Sequence, residues 1–136
     1  PTSEVMRGGH NGETVWICDY RLLDINKKPI RHVPPTEVII RPISELPKNK
    51  TVYYSQSYFS PLNKKREPSA KVISPVDNTG YRSYSGISIN VFKTEAESNA
   101  QYNGQCEIIV QKIDKELLEL SEQLMKQRQK IIEGKR

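Results

Sequence analysis

All nine prolines of this 136-residue chain fall within residues 1–93, and none occurs in residues 94–136. A proline inside a helix removes an amide donor and clashes with the preceding turn, at a cost of about 3 kcal/mol. The first part therefore has to fold mainly as short extended segments joined by turns, while the second is free to run as helix. Charge divides at the same place. Residues 1–93 hold fourteen Lys/Arg against eight Asp/Glu, a surplus of six, and residues 94–136 hold seven against eight. The chain reads as a flexible arm at 1–12, a β-rich domain at 13–93 and a helical extension at 94–136.

Residues 1–12 have no apolar period and include Gly8, Gly9, Asn11 and Gly12, the composition of an arm. Runs rich in β-branched and aromatic residues then follow at 14–20, 37–41, 51–59, 71–76 and 87–92, separated by turn formers. In the last run Ile87, Ile89 and Val91 alternate with Ser88, Asn90 and Phe92, which gives one inward face. Trp16, Cys18 and Tyr20 alternate in the same way, and burial is the usual fate of such a cysteine. Pro42, Pro47, Pro61, Pro68 and Pro75 stand at or near run ends, where a missing N–H is tolerated. Five short strands over this length predict a small β-barrel or a twisted antiparallel sheet.

The extension begins with Thr94-Glu95-Ala96-Glu97, a hydroxyl at the N-cap and a carboxylate three positions on, which is a capping box. A short helix is expected there, interrupted at Asn103-Gly104, with a second, long amphipathic helix from about Gln105 to Glu133. Cys106, Val110, Ile113, Leu117, Leu120, Leu124, Gln127 and Ile131 follow alternating steps of four and three, the seam of a heptad pattern with one polar position. Ile109, Leu118, Met125 and Ile132 widen the stripe. Glu107, Asp114, Glu116, Glu119 and Glu122 load its first half with acid, and Lys126, Arg128, Lys130, Lys135 and Arg136 load its end with base, in keeping with the helix dipole. Such a face either packs on its own domain or receives a partner, with Leu117, Leu120, Leu124 and Ile131 as its anchors. The fold class is α+β.

No apolar stretch is long enough to span a membrane, and the first residues lack the basic-then-apolar pattern of a secretory leader. Cys18 and Cys106 are too few for a disulfide framework or a four-thiolate zinc site. A cytoplasmic protein is expected. His10 lies in the arm and His32 in what reads as a proline-flanked loop at 29–35, neither with a ligand partner at helical spacing. No Gly-rich phosphate loop, Gly-x-Ser-x-Gly or carboxylate cluster occurs, so neither an enzyme nor a bound cofactor or metal is expected.

The cations cluster in segments read as loops: Lys27, Lys28, Arg31, Lys48, Lys50, Lys64, Lys65 and Arg66, with Arg82 bracketed by Tyr81 and Tyr84. Aromatics are interleaved with them. Tyr53 and Tyr54 point to opposite faces of a strand, which turns one ring outward. Tyr54 and Tyr81 are thus placed to stack on bases while the cations contact phosphates, so binding to the backbone of DNA or RNA is the expected function. The alternative is a protein-interaction module, an inhibitor seated on a larger host machine, or a subunit of an assembly, working through the C-terminal helix.

Gly12-Glu13-Thr14-Val15-Trp16-Ile17, a long polar loop and then Thr36-Glu37-Val38-Ile39-Ile40-Arg41 resemble the opening of an SH3-like barrel of the KOW or Tudor kind, over about residues 12–92. That resemblance implies a small barrel that binds nucleic acid or transcription and ribosome components. A Tudor-type cage would draw on Trp16, Tyr53, Tyr54, Tyr58, Tyr81 and Tyr84. A short Lys- and Tyr-rich chain with an appended charged helix is also similar in style to small accessory proteins of tailed phages.

Overall fold

Runs of β-branched residues with turn formers between them satisfy their backbone groups by pairing side by side. In a computed structural model, which describes residues 9–22, 29–52, 55–75 and 89–136 and only the backbone of 29–31, four such segments pair. They are β1 (Thr14–Leu22), β2 (Pro29–Pro42), β3 (Ser57–Pro61) and β4 (Asn90–Phe92). Every pairing is antiparallel, and the order across the sheet is β3-β2-β1-β4. One helix, α1 (Glu95–Glu133), follows. Among the described residues the sheet is open: β3 and β4 are its edges and do not pair with each other. The observed class is α+β.

The segment at 29–35, expected as a loop, is the first half of β2. Its prolines are accommodated by an irregularity in the pairing. Ile17 faces Thr36 and Asp19 faces Val33, so Pro34 and Pro35 together oppose Cys18. That is a bulge, where a residue without an N–H costs the ladder nothing, and β3 pairs with β2 only from Val38 onward. Of the run at 71–76, the described residues 71–75 contribute a single bridge rather than a strand. Ile73 exchanges both backbone hydrogen bonds with Phe59 at 3.0 and 2.8 Å and covers the outer edge of β3.

Ile17, Val38, Ile40, Phe59, Ile73, Ile89 and Val91 form the core, with Val15 and Val33 packed against it. Each fully buried side chain of this kind contributes about 1.5–3 kcal/mol by leaving water. Ile89 and Val91 are buried as their alternation requires, and Cys18 is fully buried. At the N-terminal side Gly12, at φ +90°, takes a left-handed turn and donates to Ile40 O at 2.7 Å, which fixes the entry to β1.

The two expected helices are one. α1 runs 39 residues, about 58 Å at 1.5 Å per residue, straight through Asn103-Gly104. A glycine inside a helix costs only about 1 kcal/mol relative to alanine. That is too little to break a helix whose neighbours Tyr102, Gln105, Cys106 and Ile109 are half-buried against the sheet. The start is the expected one: Thr94 Oγ1 accepts from Glu97 N at 3.3 Å and donates to Glu97 Oε1 at 2.8 Å.

Candidate functional site

The helix docks on β1 through a polar junction. Cys18 Sγ donates to Ser98 O at 3.3 Å, and both residues are fully buried. One turn on, Tyr102 lies over the sheet with its hydroxyl 2.6 Å from His32 Nε2, and Tyr20 sits edge-on to both rings with centroids 4.6 Å from His32 and 5.9 Å from Tyr102. His32 is thus an exposed strand residue tied to the helix rather than a loop residue. One turn further, Gln105 Nε2 donates to the buried Asp19 Oδ1 at 3.0 Å while its Oε1 accepts from Tyr20 N at 3.1 Å. Among the described residues β4 pairs with β1 as far as Cys18, and Gln105 supplies the acceptor for the amide of Tyr20 just beyond. Arg21 Nε lies 3.3 Å from the other Asp19 oxygen and compensates its charge.

Hydrogen bonds and burial hold this junction together. Burial pushes the Cys18 thiol above its ordinary value, which disfavours the thiolate a nucleophile needs. Burial likewise raises Tyr102, with the neighbouring Cys106 adding to the effect. Among the described residues no group of three or more His, Cys, Asp and Glu side chains is placed to hold a metal ion.

Beyond Ile113 the helix leaves the sheet. Every residue from 114 to 136 is exposed. Leu117 is 60% exposed, Leu120 53%, Leu124 54% and Ile131 71%, with Leu118, Met125 and Ile132 also in water. The four anchors named from the heptad spacing therefore share one face of a projecting helix, in line with the half-buried Cys106, Ile109 and Ile113. No helix among the described residues is long and apolar enough to cross a membrane.

The expected cationic site is placed only in part. Lys27, Lys28, Tyr54, Tyr81 and Arg82 lie outside the described residues, and Arg31 is described by its backbone alone, opposite Arg21. Lys48 and Lys50 follow a short 3-10 turn (Ile43–Glu45), which Tyr58 holds by donating from its hydroxyl to Glu45 O at 3.1 Å. That turn adjoins the end of the β2–β3 ladder where Pro42 meets Ser57. Lys64, Lys65 and Arg66 follow the opposite end, where Pro61 meets Val38, about 13 Å away along the strand. Asn63 Oδ1 organises their turn by accepting from the amides of Lys65 and Glu67, both at 2.9 Å. Arg66 pairs with Glu37, which raises its guanidinium further above its ordinary value. Lys64 and Lys65 are exposed, and among the described residues neither is ion-paired with a carboxylate. Among the described residues, then, the loop cations form two separate pairs, and Arg66 is already engaged.

Sequence reasoning missed Gln105, Tyr102 and Asp19. Their signal was a polar residue at each helical step (98, 102, 105) on the face that goes on to carry the apolar seam, where a sheet edge with open donors can use them. Comparison with known proteins gives no match to a family model, a curated protein or a solved structure.

Proposed function

We propose that this is a non-enzymatic interaction protein of the cytoplasm that holds a protein partner on the apolar stripe of α1. The observation that carries the reading is the exposure of Leu117, Leu120, Leu124 and Ile131 on a helical segment extending beyond its own sheet. Soluble chains rarely leave contiguous apolar surface in water, and an amphipathic helix offering such a stripe is a standard recognition element. Occupying a larger machine and serving as a subunit of an assembly both use this surface. The free thiols Cys18 and Cys106 fit a reducing compartment. The KOW- or Tudor-type likeness of the sheet belongs to the same proposal, supported by the glycine turn that leads into β1.

The test compares what co-purifies with wild type and with Leu117→Glu/Leu120→Glu/Leu124→Glu. The reading expects a protein species, of this chain or another, that is retained by wild type and lost from the variant. Identical material from both overturns it.

A second reading, binding to DNA or RNA by the backbone, rests on the adjacent and exposed Lys64 and Lys65. A gel shift at two salt concentrations tests it. Affinity that does not fall with salt removes it.

A further inference from the structure

We infer that the partner of the projecting helix is a second copy of this chain, paired antiparallel along residues 113–131. This rests on the stripe of α1 being an interaction surface and adds what occupies it. The heptad seam places Val110, Leu117, Leu124 and Ile131 at one core position and Ile113, Leu120 and Gln127 at the other. The flanks then follow. Asp114, Ser121 and Arg128 line one side of the seam, and Glu116, Gln123 and Lys130 line the other.

Both flanks run from acid through neutral to base. When two such helices lie antiparallel, each flank meets the same flank of its neighbour with the sequence reversed. With Leu120 of one copy against Leu124 of the other, Asp114 meets Arg128, Ser121 meets Ser121, Glu116 meets Lys130 and Gln123 meets Gln123. Every charge finds its opposite, twice over by symmetry. The core layers match in the same register: Ile113 against Ile131, Leu120 against Leu124 and Leu117 against Gln127. Val110 meets Gly134, where the helix ends. At the outer end Glu107, beside an open hollow of about 350 Å³ that Cys106, Val110 and Asp114 also line, faces the strand of chain carrying Lys135.

A parallel pair has none of this. Opposite flanks then meet one heptad step apart, which sets Glu116 on Ser121, Gln123 on Arg128 and Lys130 on Lys135. No ion pair forms, and one contact is between like charges. The charge pattern along the stripe therefore selects both the occupant and its direction. Each ion pair on such a flank is weak alone, but four of them reversed together are decisive.

Sedimentation equilibrium on the full chain over a hundredfold concentration range tests this, with two double variants at exposed positions beyond the sheet. Wild type is expected to form a dimer at tens of micromolar. Asp114→Lys/Glu116→Lys sets cation on cation, and Arg128→Glu/Lys130→Glu sets anion on anion, so each alone should dimerise roughly thirtyfold more weakly. Mixed in equal amounts they restore all four pairings and should return as a heterodimer of wild-type affinity. A wild type that stays monomeric at every concentration overturns the proposal. So does a trimer, a dimer indifferent to these substitutions, or a base-to-acid variant that self-associates more tightly than wild type, which is the parallel result. A monomeric chain that still loses a different captured protein on the triple leucine substitution would overturn self-pairing and leave the interaction reading standing.

Discussion

Gln105 bonds Asp19 across the junction of helix and sheet, Nε2 to Oδ1 at 3.0 Å, and so supplies a donor to one oxygen of a fully buried carboxylate from 86 positions away in the chain. Its carbonyl meanwhile accepts from Tyr20 N. Gln105→Leu removes both bonds and leaves Asp19 with Arg21. We expect a loss of about 1–3 kcal/mol in urea unfolding, the usual cost of stranding a buried polar group. Gln105→Glu sets a second carboxylate beside Asp19 and should cost more at pH 7.

The two cysteines should separate cleanly in a thiol titration. Cys18 is fully buried and Cys106 half-exposed. A disulfide reagent should modify one thiol in the native chain and two in urea. Reaction of both at the same rate in native buffer would place Cys18 in solvent.

Burial raises the Cys18 thiol above its ordinary value of 9.0, with Asp19 adding to the shift. The folded chain thus keeps this proton to higher pH than the unfolded chain does. The stability linked to it is fully present below pH 9 and is lost as pH rises through the folded value. Tyr102, raised above its ordinary 10.0, acts in the same direction at higher pH. Unfolding free energy measured from pH 7 to 11 should be flat at first and then fall. Cys18→Ala should shift the onset of the fall upward. An identical profile in that variant would assign the loss to other groups.

Gly104 lies inside α1, and a Cβ built there meets nothing within 4 Å. Gly104→Ala should therefore stabilise the chain by about 0.5–1 kcal/mol through helix propensity and a less diverse unfolded state. A higher midpoint in thermal melting checks it.

If Lys64 and Lys65 contact phosphates, Lys64→Ala/Lys65→Ala should lower the slope of log affinity against log salt by about 2. Arg66→Ala should change it less, because Arg66 already pairs with Glu37. Equal effects per residue would mean that the ion pair opens on binding.

What the sequence disclosed follows the range of each interaction. The Thr94–Glu97 capping box spans three residues, and the inward alternation of Ile89 and Val91 spans two, so both could be read directly. The stripe through Leu117, Leu120, Leu124 and Ile131 was equally legible because helical spacing alone defines it. Pro34 and Pro35 misled because their place in β2 depends on a bulge opposite Cys18, on another strand. Gly104 misled because docking of Tyr102 and Gln105 on a distant sheet outweighs a local preference of about 1 kcal/mol. The cations divided for the same reason. Lys48 and Lys64 are close in sequence, but β3 runs between them.

An unbroken α1 has one more mechanical consequence. With no joint at Asn103-Gly104, the tip of the helix is steered entirely from its base, like a boom from a turret. About 42 Å of helix separate Gln105 from Glu133, so each 10° of tilt at Tyr102 and Gln105 swings the tip by about 7 Å. The few bonds at the foot thus aim whatever is carried at the far end.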